Sequence, residues 1–203
     1  MAVGDRALRL PKTVKQVENE LCPRLLDASD RLKSGILDCG DPFTKTAAGM
    51  VVSGTRRVIK KRCNDDTEKI FITNQLSCIR DPCILDRLHD VVDIFNRKLV
   101  YIRSVAVPIK KRLDLTCCHV QVLRKELRLA ASKFCPPQAT AYMIKLMDDL
   151  MKESLDLACH TYLSDPDKCT PVLEDTPLNV TEDSPKNNDA FFVPLIHLLS
   201  SVH

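Results

Sequence analysis

Residues 117–169 read CCHVQVLRKELRLAASKFCPPQATAYMIKLMDDLMKESLDLACHTYLSDPDKC, with five of the ten cysteines placed around two apolar-striped stretches that join at Pro136-Pro137. In the first, Leu113, Cys117, Val120, Leu123, Leu127, Ala130 and Phe134 fall on one side; in the second, Met143, Leu146, Met147, Leu150 and Leu157 do. That periodicity predicts helices over 109–134 and 137–163. Adjacent helical residues point about 100° apart, so Cys117 and Cys118 cannot face one neighbour. If both are bridged, they clamp this helix to two distant parts of the chain. Cys159 and Cys169 are close enough in sequence to pair locally and pin whatever follows. Such an arrangement holds a fold together and does not by itself imply catalysis.

The same reading extends upstream. Val14, Val17, Leu21, Leu25, Leu32 and Ile36 recur at three and four over 11–37, a helix that Pro23 should kink or restart. Gly40-Asp41-Pro42 stops it, and a second helix is expected over 44–63. The acids of Asp65-Asp66-Thr67-Glu68 suit the opening of a third. Pro82 opens a fourth, striped by Leu85, Leu88, Val92, Phe95, Leu99 and Ile102. Short links and the lack of any strand pair predict an all-α fold, a disulfide-stapled bundle of about six helices. From 164 to 189 four prolines and seven acids stand against two lysines. The division expected is therefore a cysteine-rich helical domain over 1–169 and a flexible acidic tail over 170–203, apolar at its end.

With 203 residues, 44% hydrophobic content, a net charge of +3, five Gly and no Trp, the composition is that of one globular helical domain. Ten cysteines, even in number and without metal-type spacing, point to an oxidising compartment. All ten are expected to be bridged: Cys22, Cys39, Cys63, Cys78, Cys83, Cys117, Cys118, Cys135, Cys159 and Cys169. Residues 1–10 contain no apolar run of signal-peptide length, so either a signal was removed or the protein is cytosolic with free thiols; the number of cysteines favours the first.

The cysteine pattern carries a resemblance. A pair, sixteen residues, a cysteine, twenty-three residues, a cysteine, nine residues and a last cysteine resembles a family of uncharacterised secreted arthropod proteins found in insects and ticks. In that family an apolar, acid-containing helix ends in Leu-Asp-x-Ala-Cys before a final loop. Here those features are Leu155-Asp156-Leu157-Ala158-Cys159 and the segment 162–169. The chain is more loosely similar to insect haemolymph glycoproteins. Glu126 stands where the family pattern has another cysteine, which implies that one bridge is absent or rerouted. The resemblance implies an extracellular compartment and brings no activity with it.

No reaction is legible. Cys117-Cys118-His119 lacks the secreted phospholipase A2 arrangement, because Gln121 and Val122 stand where that family has histidine and aspartate. Nucleophile-elbow, phosphate-loop and zinc-helix motifs are missing, and the five histidines are scattered. No catalytic residue, metal ligand or cofactor is expected. Arg56, Arg57, Lys60, Lys61 and Arg62 form a basic strip for an anionic polysaccharide or lipid head groups, or a solvated face at a helix C-terminus. No aromatic residues interleave with them, which argues against nucleic acid. Met143, Met147 and Met151, with Phe95 and Leu127, could line an apolar pocket or simply form core. Asn179-Val180-Thr181 is a glycosylation sequon in the tail.

The expected function is that of a non-enzymatic, secreted extracellular binding protein for a protein partner or an apolar small molecule. The rivals are a helical cytokine-like ligand and a surface protein anchored through its C-terminal tail, the one route by which a membrane would enter.

Overall fold

A computed structural model describes residues 11–39, 42–103 and 107–176. Asn179 and the rest of the tail from 177 to 203 lie outside the described residues, as does the side chain of Cys39. The described chain is all helix, in the order α1 (Val14–Gln16), a π-helical turn (Val17–Leu21), α2 (Cys22–Cys39), α3 (Pro42–Cys63), α4 (Asp66–Asn74), a 3₁₀ turn (Gln75–Arg80), α5 (Pro82–Arg103), α6 (Ile109–Ser132), α7 (Pro137–Ala158), α8 (His160–Ser164), a 3₁₀ turn (Pro166–Lys168) and α9 (Cys169–Asp175).

The first helix starts on a reciprocal cap. The Thr13 hydroxyl accepts from the Gln16 N–H, and the Gln16 side chain reaches back to the Lys12 N–H. Pro23 falls in the first turn of α2, directly after the π turn. It has no N–H to give the carbonyl four residues earlier, and the chain widens into a π turn just before it, with the Cys22 N–H bonded to Val17 O.

α2 and α3 form an antiparallel hairpin whose open end is closed by the Cys22–Cys63 bridge. α3 in turn lies antiparallel on α7, since the Thr55 hydroxyl donates to the Leu150 carbonyl while Arg62 reaches Asp149. α5 and α6 make a second hairpin, and α6 also packs on α7, α8 and α9. The consequence shows in α6 itself, where Leu115, Thr116, Cys117, Cys118, His119 and Val120 are all buried in succession. A helix buried all round over six residues is a central helix rather than a surface one.

The bridges explain that burial. Cys117 joins Cys159 at the end of α7, and Cys118 joins Cys169 at the start of α9. The two partners approach α6 from different sides, as the 100° offset requires. The local Cys159–Cys169 pair expected from sequence does not form, because both cysteines face α6 instead of each other. Cys78–Cys135 ties the 3₁₀ turn before α5 to the end of α6.

Three further expectations need correction. Cys83 is unpaired and exposed: with Ile84 and Leu88 turned inward on α5, the position before Ile84 is rotated out of the core. Phe134 is 55% exposed, since α6 ends at Ser132 and the helical phase that pointed it inward ends too. The helical domain does not stop at residue 169. α9 continues to Asp175, Val172 packs on the core, and Lys111 pairs with Asp175 at 2.5 Å.

Most of the core is one cluster from α5, α6 and α7, with Leu99, Ile102, Leu115 and Val120 fully buried. Phe95 and Met151 belong to this cluster, and Leu127, Met143 and Met147 pack against it.

Candidate functional site

The basic strip of α3 does not act as one patch. Arg56 turns to α2 and pairs with Asp30. Lys60 is exposed. Arg62 is buried, its Nη1 donating to Glu68 Oε2 at 2.7 Å and its Nη2 to Asp149 Oδ2 at 2.5 Å. Its guanidinium also lies 5.0 Å from the centre of the Tyr142 ring. The strip therefore loses Arg62 to the interior, where acids from α4 and α7 neutralise a charge that looked unopposed in sequence. Arg57 and Lys61, one turn apart, are exposed and line a groove.

That groove, of about 400 Å³, runs between α3 and α7. Gly54 and Val58 of α3 and Leu150 of α7 give it an apolar wall. Lys145, Lys152 and Asp156 line it from α7, and Asp65 and Glu68 close one end at the α3–α4 turn. Most of these charges are already engaged. Arg62 holds Glu68 and Asp149, Lys145 adds a second cation to Asp149 at 3.2 Å, and Asp65 Oδ1 accepts the Thr67 and Glu68 N–H groups that open α4. Lys61, Lys152 and Asp156 make no ion pair among the described residues.

Electrostatics at the site follow from burial and pairing. Burial works against the Asp149 carboxylate, yet the Arg62 hydrogen bond and Lys145 hold it below the usual carboxylate range. Burial likewise opposes the Arg62 charge, and Tyr142, Asp149 and Glu68 together outweigh it, so that the guanidinium stays firmly protonated. Tyr142 donates its hydroxyl proton to Glu68 at 2.6 Å and stacks near Phe71, with centroids 4.5 Å apart. Its pKa is pushed up, first by burial and then by that hydrogen bond. Both acids beside Arg62 are thus paired, which makes them posts of a structural network.

None of the five residues expected to line an apolar pocket lines this groove; they are core. The cations of α7 were missed because that helix was read for its methionines. Its opposite face, Lys145, Asp149, Lys152 and Asp156 at helical spacing, carried the signal. Among the described residues no group of His, Cys, Asp and Glu is placed to hold a metal, and no helix is long and apolar enough to cross a membrane. His119 is buried on α6 with neither ring nitrogen hydrogen-bonded, and burial, aided by nearby Lys98, lowers its pKa to about 4.

No family model, curated protein or solved structure matches the chain. None of them links the chain to the secreted arthropod proteins that its cysteine spacing and its Leu155–Cys159 segment resemble.

Proposed function

We propose that this chain is an extracellular, non-enzymatic binding protein: a disulfide-locked helical scaffold that presents the α3–α7 groove to a polar partner. The observation that carries the reading is the use of Cys117 and Cys118. Two adjacent cysteines of one central helix join two separate segments, at Cys159 and Cys169, and two more bridges tie α2 to α3 and the turn before α5 to the end of α6. Bridges of this number persist where the surroundings are oxidising. The groove supports binding over catalysis, because Glu68 and Asp149 are committed to Arg62. It also speaks for a charged or polar partner over an apolar one, since an apolar ligand there would strip water from Lys61, Lys152 and Asp156 without replacing its hydrogen bonds.

The test is the redox state and location of the native protein. Full-length protein, expressed from its own coding sequence, should accumulate in the medium. Reduction should raise its intact mass by the two hydrogens per bridge expected of four bridges or more. Retention inside cells with reduced thiols would remove the extracellular reading.

A further inference from the structure

We infer that the α3–α7 groove takes a sparsely charged acidic saccharide, with a sugar carboxylate on Lys61 and Lys152 and sugar hydroxyls on Asp156. This rests on the binding reading above and goes further by naming the ligand chemistry.

Size comes first. About 400 Å³ lies within the range of small-ligand sites, roughly 300–1,000 Å³. The concavity therefore suits a discrete unit better than a flat surface. Charge narrows the choice. Once Arg62 has neutralised Glu68 and Asp149, and Lys145 has added to Asp149, two cations and two anions of the lining make no ion pair among the described residues: Lys61 and Lys152, and Asp65 and Asp156, of which Asp65 already accepts the N–H groups that open α4. Two lysines facing one groove call for an anionic group, which would form charge-assisted hydrogen bonds there.

The acids then decide how dense that negative charge can be. Asp156 lies one turn beyond Lys152 on α7, and Asp65 stands at the closed end near Lys61. A heavily sulfated polymer or an anionic bilayer would press further negative charge against both carboxylates, and like charges disfavour the contact. A chain with one carboxylate on every second sugar avoids this, because its hydroxyls donate to the acids. Val58, Leu150 and Gly54 leave an apolar wall for the C–H face of a sugar ring. A nucleotide is a poorer fit, as among the described residues no aromatic ring lines the groove for a base to stack on.

The test is a titration of the full chain, followed by NMR at low salt. The probes are a hyaluronan tetrasaccharide, its carboxyl-reduced neutral analogue, a heparin tetrasaccharide and phosphatidylserine vesicles. The proteins are the wild type, Lys61→Gln/Lys152→Gln, and the control Lys110→Gln/Lys125→Gln on α6, all at exposed positions, with circular dichroism to check that each variant keeps the wild-type helix content. The hyaluronan unit should bind. Its affinity should drop about tenfold or more both on carboxyl reduction and in the groove variant, but not in the control. Absence of hyaluronan binding, or equal loss in the control, overturns the proposal. So does tighter binding of heparin or vesicles through Lys61 and Lys152, which would make the occupant a dense anion or a membrane. Each of those results leaves the extracellular reading standing, whereas intracellular protein with reduced thiols removes that reading whatever the titration gives.

Discussion

The guanidinium of Arg62 lies 5.0 Å from the centre of the Tyr142 ring, and from that position its nitrogens reach Glu68 on α4 and Asp149 on α7. One side chain of α3 thereby fixes three helices around the closed end of the groove. Removing it leaves two carboxylates without their cation beside a half-buried tyrosine. Loss of one partner of a fully buried pair costs about 3–5 kcal/mol. Glu68 and Asp149 retain 29% and 30% side-chain exposure, so water makes good part of that loss. Arg62→Gln is expected to cost about 2 kcal/mol in urea unfolding. Lys61→Gln, one position earlier but exposed, should stay within about 0.5 kcal/mol of wild type. Equal effects of the two would mean that Arg62 is a surface cation like its neighbour.

Two phenylalanines that sequence placed in the same core behave differently. Phe95 is 3% exposed and sits in the main cluster, whereas Phe134 is 55% exposed just past the end of α6. Phe95→Ala should cost about 3–5 kcal/mol, through lost transfer energy and the cavity left behind. Phe134→Ala should lie within about 0.5 kcal/mol. A large loss at Phe134 would show that it packs on something in solution.

The contrast marks what was legible. Within a helix, period decides facing: of the stripe read from sequence, Leu88, Val92, Phe95, Leu99 and Ile102 are buried, and Leu85 at its start is half-buried. Helix starts at Pro82 and Pro137 were equally readable, since proline fits the first turn. What period cannot give is the neighbour. That acids of α4 and α7 would claim Arg62, and that Cys159 would meet Cys117 rather than Cys169, depends on which helices pack together. The groove was hidden for the same reason, its cations being divided between two helices ninety residues apart in the chain. Cys83 was hidden too, since the stripe read from sequence began at Leu85, whereas it is Ile84 that turns inward beside it.

Cys83 accordingly supplies a simple check. Under native conditions, without reductant, iodoacetamide should label Cys83 in the folded protein, and peptide mapping should find the label there. The thiol is exposed, so labelling needs no unfolding. Resistance to alkylation until reductant is added would mean that Cys83 is bridged after all.

His119 gives a pH dependence whose sign is fixed. Its pKa is lowered from 6.5 to about 4 by burial, with Lys98 adding to the effect. Above pH 6.5 both folded and unfolded chains carry the neutral imidazole, and the stability term is constant. Between 6.5 and 4 the unfolded state takes up a proton that the native state refuses, so stability falls as the pH drops. Below 4 both are protonated and the slope from this group ends. The fall across that window should be on the order of 3 kcal/mol. In His119→Met it should be largely gone, whatever the variant's absolute stability. Urea midpoints at pH 7, 5.5 and 4.5 for both proteins test it, and parallel curves would refute the assignment.

The paired bridges on α6 should not behave independently. Cys117–Cys159 closes a separation of 42 residues and Cys118–Cys169 one of 51, and the two loops share most of their chain. With Cys117–Cys159 intact, the second bridge restrains only the short stretch from 159 to 169 afresh. On the chain-entropy account a loop of that length is worth about 3 kcal/mol, against about 4 kcal/mol for the full separation standing alone. Cys118→Ala/Cys169→Ala is therefore expected to cost about 3 kcal/mol and to loosen α9 selectively. Amide exchange should rise over 169–175 while α5 and the middle of α6 stay protected, since the Leu99 and Val120 core does not depend on α9. Cys117→Ala/Cys159→Ala in the same background should cost more than it does alone, because no bridge then holds the end of α7 to the central helix. Additive losses, or a Cys159–Cys169 link in the peptide map of the native protein, would contradict the crossed arrangement.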